Sequence, residues 1–92
     1  MDIQASVDLT DAVSRAVALF DTGDLDAAEV LFRDALTLDS EDLSAATGLA
    51  KTLDRMRRFD DAFDVWETAL RIAPDDVICQ YALGDAWQRR AP

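Results

Sequence analysis

The sequence contains no histidine and only one cysteine, and these two shortages exclude several classes of function. Without histidine the chain cannot build a Ser-His-Asp triad or a histidine-based metal site. Cys79 has no second cysteine with which to form an intramolecular disulfide. The three glycines, Gly23, Gly48 and Gly84, are too scattered to form a phosphate-binding loop. We therefore expect no enzyme activity, no catalytic residues, no metal site and no cofactor.

Long apolar runs are also missing. No segment approaches the roughly 20 apolar residues that a membrane-spanning helix needs. The first residues, MDIQASVDLTD, lack the basic region and the apolar core of a secretory signal peptide. The sequence therefore predicts a protein without membrane contact, and we expect it in the cytoplasm.

Basic residues are few, since the chain has 9 of them against 19 acidic residues and a net charge of −10. The excess is uneven: residues 1–46 carry a net −9 and residues 47–92 carry −1. Such an acidic surface repels nucleic acid backbones and anionic lipids, so we expect neither as a partner. Two interpretations of the acidic half stay open, a patch for a basic partner and a surface charged for solvation alone.

What the sequence does contain is an internal repeat of 34 residues. Residues 9–42 aligned on residues 43–76 give nine identities, where composition alone gives roughly three. The identical positions of the first copy are Leu9, Ala12, Ala16, Leu19, Asp26, Ala28, Ala35, Leu36 and Asp42. A period of this length is typical of a solenoid, in which stacked copies bury each other's apolar faces.

Each copy predicts two helices. Ala12, Ala16 and Leu19 recur at i, i+4 and i+7, and the second half of the copy repeats that kind of spacing. Glycine and proline are scarce, and no stretch sustains the apolar and polar alternation of a strand. We expect Gly23 to separate the first two helices and Pro74 to end the fourth. Helix-capping aspartates are expected at Asp8, Asp24, Asp42 and Asp76.

The positions of these residues resemble the tetratricopeptide repeat, a helical hairpin of 34 residues. The second copy matches that family's pattern at Ala46, Leu49, Ala50, Leu53, Ala62, Trp66, Ala69 and Pro74. The first copy matches it at Ala12, Ala16, Leu19, Ala28, Phe32 and Ala35. It departs at Arg15, where leucine is expected, and at Ser40, where proline is expected.

The resemblance implies an all-α fold, an α-solenoid of antiparallel helix hairpins. We expect five helices, from two repeat units and a C-terminal capping helix. One domain would cover residues 1–92, with repeat 1 at about 9–42, repeat 2 at about 43–76 and a partial repeat or capping helix at 77–90.

The resemblance also implies a function, because tetratricopeptide repeats usually bind a protein or peptide in the groove formed by the first helix of each unit. On the first, third and fifth predicted helices, the residues expected to face this groove are Val13, Val17, Phe20, Thr47, Lys51, Arg55, Tyr81 and Asp85. Asp54 lies on the same face of the third helix as Thr47 and Lys51. Two interpretations of the apolar stripe on the first helix stay open: it anchors a ligand, or Ile3 and Val7 fold back over it.

A second apolar face is expected on the fifth helix, at Leu83 and Trp87, where no sixth helix follows in the sequence. Three interpretations of this face stay open: the fourth helix covers it in part, a second copy packs on it in a homodimer, or a partner protein supplies a helix. Two functions therefore remain. One is an adaptor, scaffold or chaperone-like holder of a peptide or helix, and the other is a self-assembling structural module.

The only basic cluster is DRMRR, residues 54–58, at the predicted turn between the third and fourth helices. Its arginines could hold an acidic partner or a phosphate, stay solvated, or pair with Asp60 and Asp61.

Overall fold

The computed structural model describes residues 3–90, and over this range the chain forms five α-helices and no strand. The predicted all-α solenoid of helix hairpins is confirmed. The helices are α1 (Ile3–Thr22), α2 (Leu25–Leu38), α3 (Leu43–Arg55), α4 (Phe59–Ile72) and α5 (Val77–Arg90).

The two turns inside the hairpins, between α1 and α2 and between α3 and α4, have the same geometry. In the first, Gly23 has a φ of 91°, and the backbone N–H of Asp24 donates to Leu19 O at 2.8 Å. In the second, Arg57 has a φ of 63°, and the N–H of Arg58 donates to Leu53 O at 2.9 Å. Both are left-handed helix ends of the Schellman type, in which the chain reverses tightly enough for the next helix to pack back.

Helix starts follow the sequence less closely. Asp42 and Asp76 are caps as predicted, because their Oδ1 atoms accept the backbone N–H of residues 45 and 79 at 2.9 and 3.0 Å. Asp24 precedes α2 but makes no side-chain cap hydrogen bond. The prediction for Asp8 is wrong, since α1 begins at Ile3 and residue 8 lies inside the helix. The fourth helix ends at Ile72, two residues before Pro74, as expected.

Small residues bring the helices together. Among the described side chains, eight alanines of the two hairpins are wholly buried: Ala16, Ala28, Ala35, Ala45, Ala46, Ala50, Ala62 and Ala69. Side chains of this size let two helix backbones approach closely along their contact line. Each helix packs on the next in chain order, and α1 also touches α3, so the first helices of the two hairpins share one face of the stack.

Two aromatic side chains fill the space that the alanines leave. Phe32 and Trp66 are 1% and 3% exposed and occupy equivalent positions in the two copies. Phe32 lies against Gly48 so closely that a Cβ atom at position 48 would overlap its ring. The indole Nε1–H of Trp66 donates to Asp54 Oδ2 at 3.1 Å, and the other carboxylate oxygen of Asp54 is buried without a partner. Asp54 is therefore turned toward Trp66 and lines neither of the two pockets described below.

One arginine joins the two hairpins. Arg58 Nη1 lies 2.8 Å from Glu29 Oε1 on α2, and its Nη2 lies 3.0 Å from Asp61 Oδ2 on α4. The hydrogen bond with Asp61 is the largest cause that raises the pKa of Arg58, and Glu29 adds to it. Of the alternatives for the DRMRR cluster, pairing with Asp61 is the one that Arg58 adopts, whereas Asp60 pairs with Arg90 at 3.4 Å.

Candidate functional site

Five of the predicted groove residues surround one cavity. Val13, Val17 and Phe20 on α1 face Thr47 and Lys51 on α3 across a pocket of 330 Å³. We call it the α1–α3 pocket. Its remaining lining residues are Asp21, Phe32, Ser44 and Gly48. The stripes on the two helices converge because α1 and α3 are the first helices of consecutive hairpins and contact each other directly.

The walls of the α1–α3 pocket are mostly apolar. Val17 is 45% exposed, whereas Val13 and Phe20 are partly buried against the core. Phe32 reaches the cavity from α2 beneath Gly48, where the missing side chain leaves room for the ring. The polar residues lie toward α3 and at the α1 end. An apolar group that enters this pocket would exchange water for four apolar side chains.

Arg55 stabilises one wall and does not line the cavity. Its guanidinium carbon lies 4.6 Å from the centroid of the Phe20 ring, within the range of a cation–π contact. Since Arg55 is the last residue of α3 and Phe20 lies near the end of α1, the contact ties the two helices together beside the pocket.

A second, smaller cavity lies on the other side of α3. This α3–α5 pocket has a volume of 180 Å³ and is lined by Leu43, Ser44, Thr47, Lys51, Trp66, Asp76, Ile78 and Cys79. Ile78 is 69% exposed, and the other apolar lining residues are partly or fully buried. Burial raises the pKa of the Cys79 thiol, the Asp76 carboxylate adds to the rise, and the Lys51 ammonium opposes it.

Tyr81 and Asp85, the remaining two predicted groove residues, lie apart from both pockets. They line a surface depression on α5 together with Gln80, Gly84 and Gln88. Tyr81 is 77% exposed, and Asp85 Oδ2 accepts a charged hydrogen bond from Arg89 Nε at 2.8 Å. The structure thus brings together the α1 and α3 parts of the predicted groove but not its α5 part.

Several lining residues were missed by the sequence reasoning. Ser44 lies one turn before Thr47 on the same helix face, and that i, i+3 spacing could have revealed it. Ile78 and Cys79 follow the cap at Asp76, and nothing in their spacing distinguishes a pocket wall from a buried helix face. Phe32 was identified in the sequence as a position of the repeat pattern, and Gly48 beside it is what opens the cavity to the ring.

The hypothesis that Ile3 and Val7 fold back over the apolar stripe of α1 is wrong. Both residues belong to α1 itself, so they form no separate segment that could cover it. Val17, on that apolar stripe, is exposed in the structure.

The predicted face on α5 is covered in part. Leu83 is partly buried and lines a depression with Leu70 and Pro74, between α4 and α5. Trp87 is 56% exposed, although its ring centroid lies 5.8 Å from that of Phe63 on α4. Arg90 adds a cation–π contact to each of these two rings, at 5.6 and 4.5 Å.

None of the helices within residues 3–90 combines the length and apolar character that crossing a membrane requires. Among the described side chains, which belong to residues 11–90, no three Cys, Asp or Glu residues are grouped so that they could hold a metal ion.

Comparison with known proteins gives a family for this arrangement. No curated protein matches the chain. The family model of the tetratricopeptide repeat matches residues 19–86, which run from the end of α1 into α5. The matched range includes the α3 residues that line the two pockets. The match covers well over half of the chain and agrees with the stacked hairpins, the buried alanines and the 34-residue period. The chain therefore belongs to the tetratricopeptide repeat family.

Proposed function

We propose that the chain is a non-catalytic interaction module that binds a peptide or helix of a partner protein in the groove along α1 and α3. Tetratricopeptide repeats generally mediate protein–protein interactions and are typically non-catalytic. In this proposal residues 1–92 form one domain that works in the cytoplasm as an adaptor, scaffold or chaperone-like holder.

The observation that supports the proposal most is the convergence of Val13, Val17 and Phe20 with Thr47 and Lys51 on one cavity of 330 Å³. A cavity of this size is within the range of ligand sites, and it takes an apolar side chain easily. Burying one such side chain fully contributes about 1.5–3 kcal/mol, which is enough to anchor a peptide but not enough to hold it alone. Polar residues at the rim would then fix its orientation.

The test is selection of short random peptides displayed on phage against the protein, followed by affinity measurement on the enriched sequences. Val17→Asp puts a charge on the apolar wall, and Val30→Asp makes the same change at an exposed valine on α2 outside both pockets. Selected peptides should bind the wild type and the Val30 variant equally and the Val17 variant at least about tenfold more weakly. Equal binding to all three proteins, or no enriched peptide, would refute the proposal.

A second candidate function, self-association through α5, is favoured by the exposure of Trp87. Light scattering across a dilution series separates the two, because a monomer has a mass of 10.1 kDa and a dimer twice that. If the face at Leu83 and Trp87 forms a dimer, Trp87→Gln should abolish it, whereas Tyr81→Gln on the same helix should not. A monomer at every concentration would remove this candidate.

A further inference from the structure

We infer that the groove prefers a peptide with one acidic residue between two apolar side chains, the acid at Lys51 and one apolar side chain in each pocket. This preference rests on the proposed function, because it names the chemistry of the ligand for the same groove. It comes from the residues that the two pockets share and from how charge is distributed around them.

The two pockets have a common wall. Ser44, Thr47 and Lys51 stand at i, i+3 and i+7 on α3, and all three line both the α1–α3 and the α3–α5 pocket. A segment that fills both cavities must therefore cross this polar row. Its apolar side chains would lie on either side, against Val17 in one pocket and Ile78 in the other, which are both exposed.

Lys51 is the charged group on this row. Every ion pair among the described side chains uses an arginine, so the Lys51 ammonium has no carboxylate within 4.0 Å. The Thr47 hydroxyl already donates to Leu43 O at 3.0 Å, within its own helix. Lys51 thus remains as an exposed cation on the wall between two apolar cavities, where a carboxylate could reach it without displacing an internal partner.

The acidic residues of the pockets lie at the outer walls. Asp21 lines only the α1–α3 pocket, and Asp76 lines only the α3–α5 pocket. The order of charge across the groove is therefore negative, positive, negative. An acid at the centre of the ligand meets the cation, whereas an acid at either end meets a carboxylate. With a net charge of −10 on the protein, further acids on the ligand would be repelled, so the inference is for one central acid and not for an acidic segment.

The expected change in affinity is modest because Lys51 is exposed to solvent. Exposed ion pairs contribute about 0.2–1 kcal/mol, so we expect an affinity loss of about 1.4- to fivefold when the central Asp or Glu of the ligand becomes Asn or Gln. Reversing the protein charge with Lys51→Glu should reverse the preference, so that a central lysine in the peptide binds better than a central acid.

The experiment selects displayed random peptides separately on wild type, on Lys51→Glu and on Arg71→Glu. Arg71 is the matched control, since it is an exposed cation on α4 that pairs with none of the described carboxylates and lies outside both pockets. Sequences with Asp or Glu between two apolar residues should be enriched on wild type and on the Arg71 variant. On the Lys51 variant Lys or Arg should replace the acid. Synthetic versions of one enriched peptide, with Asp, Asn or Lys at the centre, then give the affinities by fluorescence anisotropy.

Each other outcome overturns the inference. Enriched peptides with apolar residues but no central acid would show that the pockets are used and Lys51 is not. An acid preference that survives Lys51→Glu would place the carboxylate elsewhere. Peptides with a single apolar anchor would show that only one cavity is filled. In these three cases the Val17→Asp test can still succeed, and the proposed function stands. If no peptide is enriched on any of the proteins, both the inference and the proposed function fail.

Discussion

Replacing Gly48 with alanine should destabilise the protein, although alanine favours helix more than glycine does. Gly48 lies in the interior of α3, where the change gains about 0.8–1 kcal/mol in helix propensity. The new methyl group, however, would overlap the Phe32 ring, which is 1% exposed and cannot move into solvent. Overpacking of this kind costs about 1–3 kcal/mol, so the net loss is about 0–2 kcal/mol.

Gly84 provides the matched control for this prediction. It lies inside α5, and a Cβ atom there would come within 4 Å of no atom beyond its chain neighbours and the backbone of its own helix. Gly84→Ala should therefore show the propensity gain alone, a stabilisation of about 0.5–1 kcal/mol. The difference between the two variants removes the propensity effect and equals the cost of the overlap, about 1–3 kcal/mol.

The assay is urea unfolding followed by far-ultraviolet circular dichroism, with the midpoint and the slope fitted for each variant. The cost at Gly48 should shrink when Phe32 is replaced by leucine, because the shorter side chain leaves room for the methyl group. Equal stabilisation by both alanines would refute the reasoning, since it would mean that the ring does not pack against position 48.

Three further predictions test separate features. Trp66→Phe removes the indole N–H that Asp54 accepts and should cost about 1–3 kcal/mol by urea unfolding; no loss would mean that water replaces the bond. Both Arg57 and Gly23 have a positive φ, which glycine adopts without strain. Arg57→Gly should therefore stabilise the protein by up to about 1 kcal/mol, and Gly23→Ala should destabilise it by a similar amount. Unchanged unfolding midpoints would contradict this. The raised pKa of Cys79 means that the unfolded thiol, with a pKa of about 8.5, loses its proton first, so stability should fall as pH rises above that value. The fall should be smaller in Cys79→Ala, and equal pH profiles would argue against a buried thiol.

The helices were predictable because their signals are local. The glycine at position 23 and the proline at position 74 act within a few residues of where they stand, and the 34-residue period shows that the same helical pattern occurs twice. The start of α1 was not predictable in this way. The repeat begins at about residue 9, which made Asp8 look like a cap, but residues 3–8 contain no glycine or proline that would stop the helix from extending.

The site was predictable only in part because it depends on contacts between helices. Equivalent stripes on α1 and α3 converge, since the period places them on the same face of the stack. Asp54 continues the stripe of Thr47 and Lys51 by spacing, yet it turns to the indole of Trp66, which needs a hydrogen-bond acceptor once it is buried. The shape of the α1–α3 pocket depends on where Phe32 meets Gly48, and no spacing rule contains that contact.

The positions of the two tryptophans have an optical consequence. Trp66 is buried and lines the α3–α5 pocket, Trp87 is half-exposed against Phe63, and the α1–α3 pocket contains no tryptophan. A side chain that enters the α3–α5 pocket would displace water beside the Trp66 indole and change its emission, whereas one that enters the α1–α3 pocket would not touch a tryptophan. Unlabelled protein in a fluorimeter, with Trp87→Phe to remove the background, would thus distinguish occupancy of one pocket from the other.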